Sequence, residues 1–242
     1  AAATCAAAAA PADARPGTWE VVLLPSAVAT LVDHLAGAFS AKAYAEGRSA
    51  LCDRLGTEVA SPLVSLADDA VGEGAIGLPF DGEGTPRSRV ELIRDGVAAG
   101  LVHDRATAAA AGVAPTGHGL VGPNPWGPYP SHLVVAPGHA GVDELVAGIE
   151  EGLLVTRFWY ARTVNPKQAL LTGMTRDGTF RIEGGGVGTP VRSLRFNQSI
   201  LAALAACDGV GHDLGTCCDE GGDVRAPALR VRAFRFSSAT DH

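Results

Sequence analysis

The amino-acid sequence predicts an α+β fold of mainly antiparallel, twisted sheets with about three covering helices. Glycine and proline supply 31 and 15 of the 242 residues, too many for a helical bundle and suited to short strands joined by turns. Strand-like and helix-like segments alternate without an internal repeat and without regular βαβ order, which argues against a parallel α/β sheet. Asp-Gly pairs between strand-like runs, at Asp95-Gly96 and Asp177-Gly178, favour antiparallel hairpins.

Residues 1–17 are alanine-rich, close with Pro11 and Pro16, and read as a linker or the tail of a missing N-terminal domain; residues 18–242 read as one domain. Residues 18–24 (TWEVVLL) have strand composition. Pro25-Ser26 then starts a helix with Ser26 as N-cap, and Val28, Leu31, Val32, Leu35 and Phe39 recur on one apolar stripe over 26–39. Asp33 falls well off that stripe and His34 on its flank, so both are expected to face solvent or a partner. Residues 62–70 read as a short strand, 72–84 as a glycine-rich loop, and 90–94 with 97–103 as a hairpin about Asp95-Gly96. A loop of about 20 residues at 110–130, holding Trp126 and Tyr129, is long enough to suggest a function. A strand at 131–136, a helix at 142–153 and an aromatic-rich strand at 154–161 follow. Strands at 169–174 and 179–183 flank a second expected hairpin at Arg176-Asp177-Gly178. A third helix over 198–206 would be capped by Asn197, and residues 229–236 alternate apolar side chains with Arg230, Arg232 and Arg235.

Composition bounds the function. The formal charge of −7 disfavours a phosphate-binding surface, so nucleic acid is not expected as a partner. With 47% hydrophobic and 19% charged residues the chain is not a disordered acidic tail. Its apolar runs, such as residues 21–24, fall far short of the roughly 20 residues that cross a bilayer, so no membrane association is expected. The five cysteines, Cys5, Cys52, Cys207, Cys217 and Cys218, are odd in number and form no CxxC pair, which fits a reducing, cytoplasmic location.

Local chemistry is sparse. Asp33-His34 could serve acid–base chemistry or ligate a metal, but helix neighbours point about 100° apart and cannot share an ion without a third group. Cys217-Cys218 offers thiolates for zinc or nucleophilic attack. His118, His132 and His139 lie outside any HxH or HExxH spacing and read as loop histidines. No GxGxxG, GK[ST] or GxSxG element is present, which leaves phosphate cradling and serine hydrolysis without support.

Six stretches taken together are more specific: VVLLPSAVATLVDHLAGAFS, LGTEVASPLVSLADD, PFDGEGTPRSRVELIRDGVAAGLVHDRATA, APTGHGLVGPNPWGPYPSHLVVAPG, DELVAGIEEGLLVTRFWYARTVNP and LLTGMTRDGTFRIEGG. Running collinearly with the PALRVRAFRFSS ending from about residue 18 to 236, they resemble the C-terminal half of the TldD/PmbA family, the so-called modulators of DNA gyrase. The resemblance implies a D/E heterodimer whose D subunit is a zinc peptidase with a helical HExxxH motif and a later cysteine in a GTC setting. Laid on that motif, this chain has Asp33, His34 and Ala38 in place of the first histidine, the glutamate and the second histidine, and Cys217 at the cysteine position. Ala38 has no donor atom, and catalytic zinc needs three protein ligands. The chain therefore resembles the E (PmbA, TldE) type, with no catalytic residues, no metal and no cofactor of its own, although Cys217 is a D-like feature. The resemblance implies a zinc-bearing TldD-type partner, an extended peptide as substrate held by strand addition, and the loop 112–130 as a wall of the peptide cavity. The alternatives are a repurposed member that matures a peptide-derived natural product, and an autonomous hydrolase using Asp33, His34 or Cys217 with an unconventional metal.

Overall fold

The computed structural model describes residues 6–75, 77–219 and 222–239, with the backbone alone at Cys218 and Asp219. Residues 1–5, which include Cys5 and the start of the expected tail, and Glu220 and Gly221 after the Cys-Cys turn lie outside the described residues. Its first elements are β1 (Gly17–Leu23), α1 (Pro25–Leu35), a 3₁₀ turn (Ala36–Phe39), α2 (Ala41–Ala45), β2 (Leu66–Asp68), β3 (Val90–Arg94), β4 (Val97–Ala98) and α3 (Arg105–Ala111). Then come β5 (His132–Val135), α4 (Val142–Ala147), β6 (Glu151–Asn165), β7 (Leu170–Glu183), β8 (Gly186–Val191) and β9 (Leu194–Ser199). The chain continues through α5 (Ile200–Ala205), β10 (Cys207–Val210), β11 (Gly215–Asp219), β12 (Gly222–Ala226) and β13 (Leu229–Ala239). The fold is α+β, as expected. The three expected helices are present, and α2 and α3 are two short additional ones.

One sheet runs β1-β6-β7-β9-β13-β10, and a second β1–β13 pairing closes five of these strands into a ring. All pairings in the ring are antiparallel except β1–β6. The apolar run of β1 is buried on both faces: Val21 and Leu23 join the main core while Val22 packs under α4 with Leu145, Val146 and Ile149. Phe158, Phe196, Phe234 and Phe236 meet with centroid separations of 4.6–5.4 Å. The odd spacing of Val231 and Phe234 is reconciled by a bulge. Between the pairs Val21↔Val231 and Trp19↔Phe234, β13 uses three steps where β1 uses two. Both side chains thus face inward and Ala233 is turned out to solvent. The basic outer face of β13 is partly neutralised, because Asp208 accepts from Arg230 at 2.8 Å and from Arg232 at 2.7 Å.

The second sheet runs β11-β12-β5-β2-β3-β4 and ends on β11. Helix α1 lies between the sheets, against β6 on one side and against β11 and β12 on the other. That placement buries Ala27 through Asp33 almost completely, so the single stripe inferred from periodicity underestimates how much of the helix is covered. Leu31, Leu35 and Phe39 are inward, with the last carried by the 3₁₀ turn rather than by α1.

Several local expectations are corrected. Ser26 is not the N-cap of α1; Leu24 occupies that position and Pro25 sits in the first turn, where its missing N–H costs no helical bond. Ser199, not Asn197, caps α5 by accepting from the Ala202 N–H at 3.4 Å. Arg176-Asp177-Gly178 is not a hairpin. Asp177 and Gly178 take positive φ of 61° and 113° as an irregularity within β7, which continues because β6 pairs with it on both sides of the irregularity, while β9 flanks its first part and β8 its second. The expected helix at 142–153 is cut short, since β6 already starts at Glu151 to pair with Glu183. Asp95-Gly96 is a hairpin turn, with φ of 47° and 81° that match the mirror-image turn favoured there. Ala12 of the expected linker is docked, its N–H donating to Pro190 O at 2.8 Å. Among the described residues no helix is long and apolar enough to cross a membrane.

Candidate functional site

A groove of about 880 Å³ opens between the two sheets. Its floor is one face of α1, where Ser26, Thr30 and His34 recur every four residues and align along the helix. One wall is the stretch of β6 from Arg157 to Thr163, and the other is the edge strand β11 through Thr216 and Cys217. Gly215 lets this edge approach the start of α1, because a Cβ there would lie 2.7 Å from the Pro25 ring. Cys217 Sγ consequently sits 3.4 Å from Ser26 Oγ. On the β6 wall Tyr160 is held at φ of 54°, and Trp159 and Tyr160 are 46% and 56% exposed. Arg157 lies over the Trp159 ring at 5.1 Å and Arg162 over the Tyr160 ring at 4.7 Å.

Of the four positions singled out from sequence, His34 and Cys217 both line this groove. Asp33 does not face solvent, contrary to its place off the apolar stripe: it is 6% exposed because the second sheet and the loop after α3 cover the far side of α1. Tyr129 from that loop donates its phenol to the Asp33 carbonyl at 3.4 Å. Burial, reinforced by the Asp33 charge, pushes the Tyr129 phenol up to about 12. Ala38 opens instead on a smaller neighbouring cavity of about 270 Å³ that shares His34 and Thr163 with the groove.

The loop at 112–130 lines neither of these two cavities. It is pinned to the second sheet by a buried relay that sequence reading missed. His118, read as a loop histidine, is wholly buried, with Nε2 2.9 Å from Asp68 Oδ1 and Nδ1 2.9 Å from Thr116 Oγ1. Asp68 Oδ2 accepts from the His132 N–H at 2.8 Å. Burial alone would raise the Asp68 carboxyl, but the His118 bond and the His132 N–H outweigh it and hold the carboxyl below its ordinary value. Sequence reasoning also passed over Arg157 and Arg162. Their signal was present in LVTRFWYARTV, where arginines flank adjacent aromatic residues in a strand.

With this geometry in hand, comparison with known proteins is decisive at the family level. The model of the PmbA/TldA metallopeptidase C-terminal domain matches residues 16–238. The chain belongs to this family. A metalloprotease of Methanothermobacter thermautotrophicus is 27% identical over 227 residues, covering 89% of this chain and 49% of that protein. A metalloprotease TldD homolog of Haemophilus influenzae is 28% identical over 226 residues, covering 88% of this chain and 45% of the homolog. The chain thus spans about half the length of the curated relatives it matches. Among solved structures, TldE from Thermococcus kodakarensis superposes with a TM-score of 0.85 at 20% identity, covering 96% of this chain and 53% of that one. A candidate modulator of a DNA gyrase from Thermotoga maritima superposes with a TM-score of 0.83 at 24% identity, covering 94% and 51%. At these identities the structural matches establish the fold.

The donor set does not fit a family-type zinc ion. Asp33 is buried, Ala38 presents a methyl group, and the Cys217 thiol is engaged with Ser26. Among the described residues no cluster of three or more His, Cys, Asp or Glu side chains is placed to hold a metal.

Proposed function

We propose that this chain is the non-zinc, TldE-like subunit of a cytoplasmic TldD/TldE-type metallopeptidase complex, and that it holds unfolded or extended peptides for a zinc-bearing TldD-type partner to cleave. The observation that carries this reading is the edge strand β11 bordering a large groove, while the residues laid on the zinc motif bring no ligand set to it: Asp33 is buried away from the groove and Ala38, on the neighbouring cavity, offers only a methyl group. An unpaired strand edge offers backbone donors and acceptors at a repeat of about 3.3 Å to any extended chain, with little demand on its side chains. The groove can therefore capture peptide while cleavage depends on the partner. The described free thiols of Cys52, Cys207 and Cys217 suit a reducing cytoplasm.

Mixing the chain with a purified TldD-type subunit and an unstructured model peptide tests the reading. A stable complex is expected, with cleavage faster than by the partner alone and no cleavage by this chain alone. Failure to form a complex, or unchanged cleavage on mixing, would overturn it.

A further inference from the structure

The groove differs in charge from the molecule that carries it. The chain has 26 acidic against 19 basic residues, yet among the described residues the charged side chains lining the groove are Arg157 and Arg162, joined by the imidazole of His34 and by no Asp or Glu. Arg162 is exposed and makes no ion pair among the described residues; its guanidinium rests on the Tyr160 ring. Arg157 pairs with Asp177 through Nε at 2.6 Å, which leaves the rest of its donor fork for another acceptor. Arg176, 5.6 Å from the Trp159 ring, adds a third cation beside the same wall. Asp177 offsets part of the charge of Arg157 and Arg176, whereas the Tyr160 ring orients Arg162 without neutralising it, so that cation stands ready.

We infer that the groove selects extended peptides bearing acidic side chains. This rests on the peptide-holding reading and adds a side-chain preference to it. Backbone pairing along β11 would supply affinity independent of sequence, and carboxylates spaced along one face of the peptide would meet the guanidinium groups of the β6 wall. Alternate residues of a strand share one face, so a peptide with glutamate at every second position can present several carboxylates together. A basic cleft on an acidic molecule also concentrates anionic segments at that cleft.

The test uses the full chain and three fluorescently labelled octapeptides with blocked ends, alternating threonine with glutamate, glutamine or lysine. Anisotropy titrations at about 50 mM and about 500 mM salt read the affinities, because screening over a few ångströms separates the ionic part from the backbone part. The glutamate peptide should bind about fivefold more tightly than the glutamine peptide at low salt, with the lysine peptide weakest and the differences shrinking at high salt. Arg162→Gln should remove most of the glutamate preference and change binding of the glutamine peptide much less. Arg94→Gln, on the exposed end of β3, should alter neither. Equal binding of the glutamate and glutamine peptides at low salt, or a preference that survives in the double variant of Arg157→Gln and Arg162→Gln, would overturn the inference and leave peptide holding intact. If none of the three peptides binds, peptide holding itself fails.

Discussion

The buried relay around His118 shows how a single residue can anchor a long irregular segment. Asp68 and His118 are both essentially unexposed, and the carboxylate uses each oxygen, one toward His118 Nε2 and the other toward the His132 N–H. An amide has only one acceptor oxygen. Asp68→Asn should therefore leave a buried donor facing a donor and cost about 1–3 kcal/mol, and Asp68→Ala about 3–5 kcal/mol, read from urea unfolding midpoints. Arg232→Ala, which loses a largely exposed ion pair with Asp208, should cost less than about 1 kcal/mol. Equal costs for the Asp68 and Arg232 variants would show that the relay is not a distinct anchor. Thiol reactivity separates residues on the same physical grounds. Burial pushes the Cys207 thiol up to about 11, so it should alkylate far more slowly at neutral pH than the half-buried Cys217. Mass spectrometry of a limited iodoacetamide reaction would reveal the order, and Cys207 reacting first would contradict its burial.

At the level of elements, sequence reading succeeded where local geometry alone decides and failed where tertiary pairing decides. Asp95-Gly96 forms the hairpin that its residues favour. Asp177-Gly178 has the same local preference, but both flanking segments pair with β6, the first also with β9 and the second with β8, and the positive-φ pair is absorbed within one long strand. Asp33 was misplaced for a related reason. Periodicity assumes a helix covered on one face, whereas α1 is covered by two sheets. Half of the candidate site was still legible: His34 and Cys217 emerged from motif positions, while Arg157 and Arg162 required knowing that β6 turns its aromatic stretch toward α1. Two substitutions probe the elements. Leu35→Ala should cost about 2–5 kcal/mol, because Leu35 is wholly enclosed between the layers. Gly96→Ala should cost more than about 1 kcal/mol, since φ is 81° and the added Cβ would lie 2.5 Å from the Ala60 carbonyl oxygen. An unchanged melting temperature for either variant would contradict the packing of that element.

The titrating groups of the whole molecule point toward loss of stability on acidification, in two stages. Burial holds the His103 and His132 imidazoles below their ordinary value, so the unfolded chain takes up their protons first as pH falls through about 6.5. Asp68, Asp69 and Asp208 form the second group. Burial would raise each carboxyl, but His118, Arg89 and the Arg230–Arg232 pair respectively outweigh it and hold all three below the usual carboxylate range. A lowered native value means that their contribution is complete above the unfolded value of about 3.9 and disappears as pH falls through the native one. Both groups bind more protons in the unfolded chain than in the native one, so the two effects share a sign. Urea midpoints measured from pH 8 down to about pH 3 should decline gently between roughly 7 and 5.5 and steeply below about 4.5. His132→Gln should lessen the first decline, leaving the part due to His103, and largely preserve the second, because the three carboxylates keep their hydrogen-bond partners. A midpoint that rises on acidification across the histidine range would reverse the sign of this linkage and show that both imidazoles are protonated in the native state.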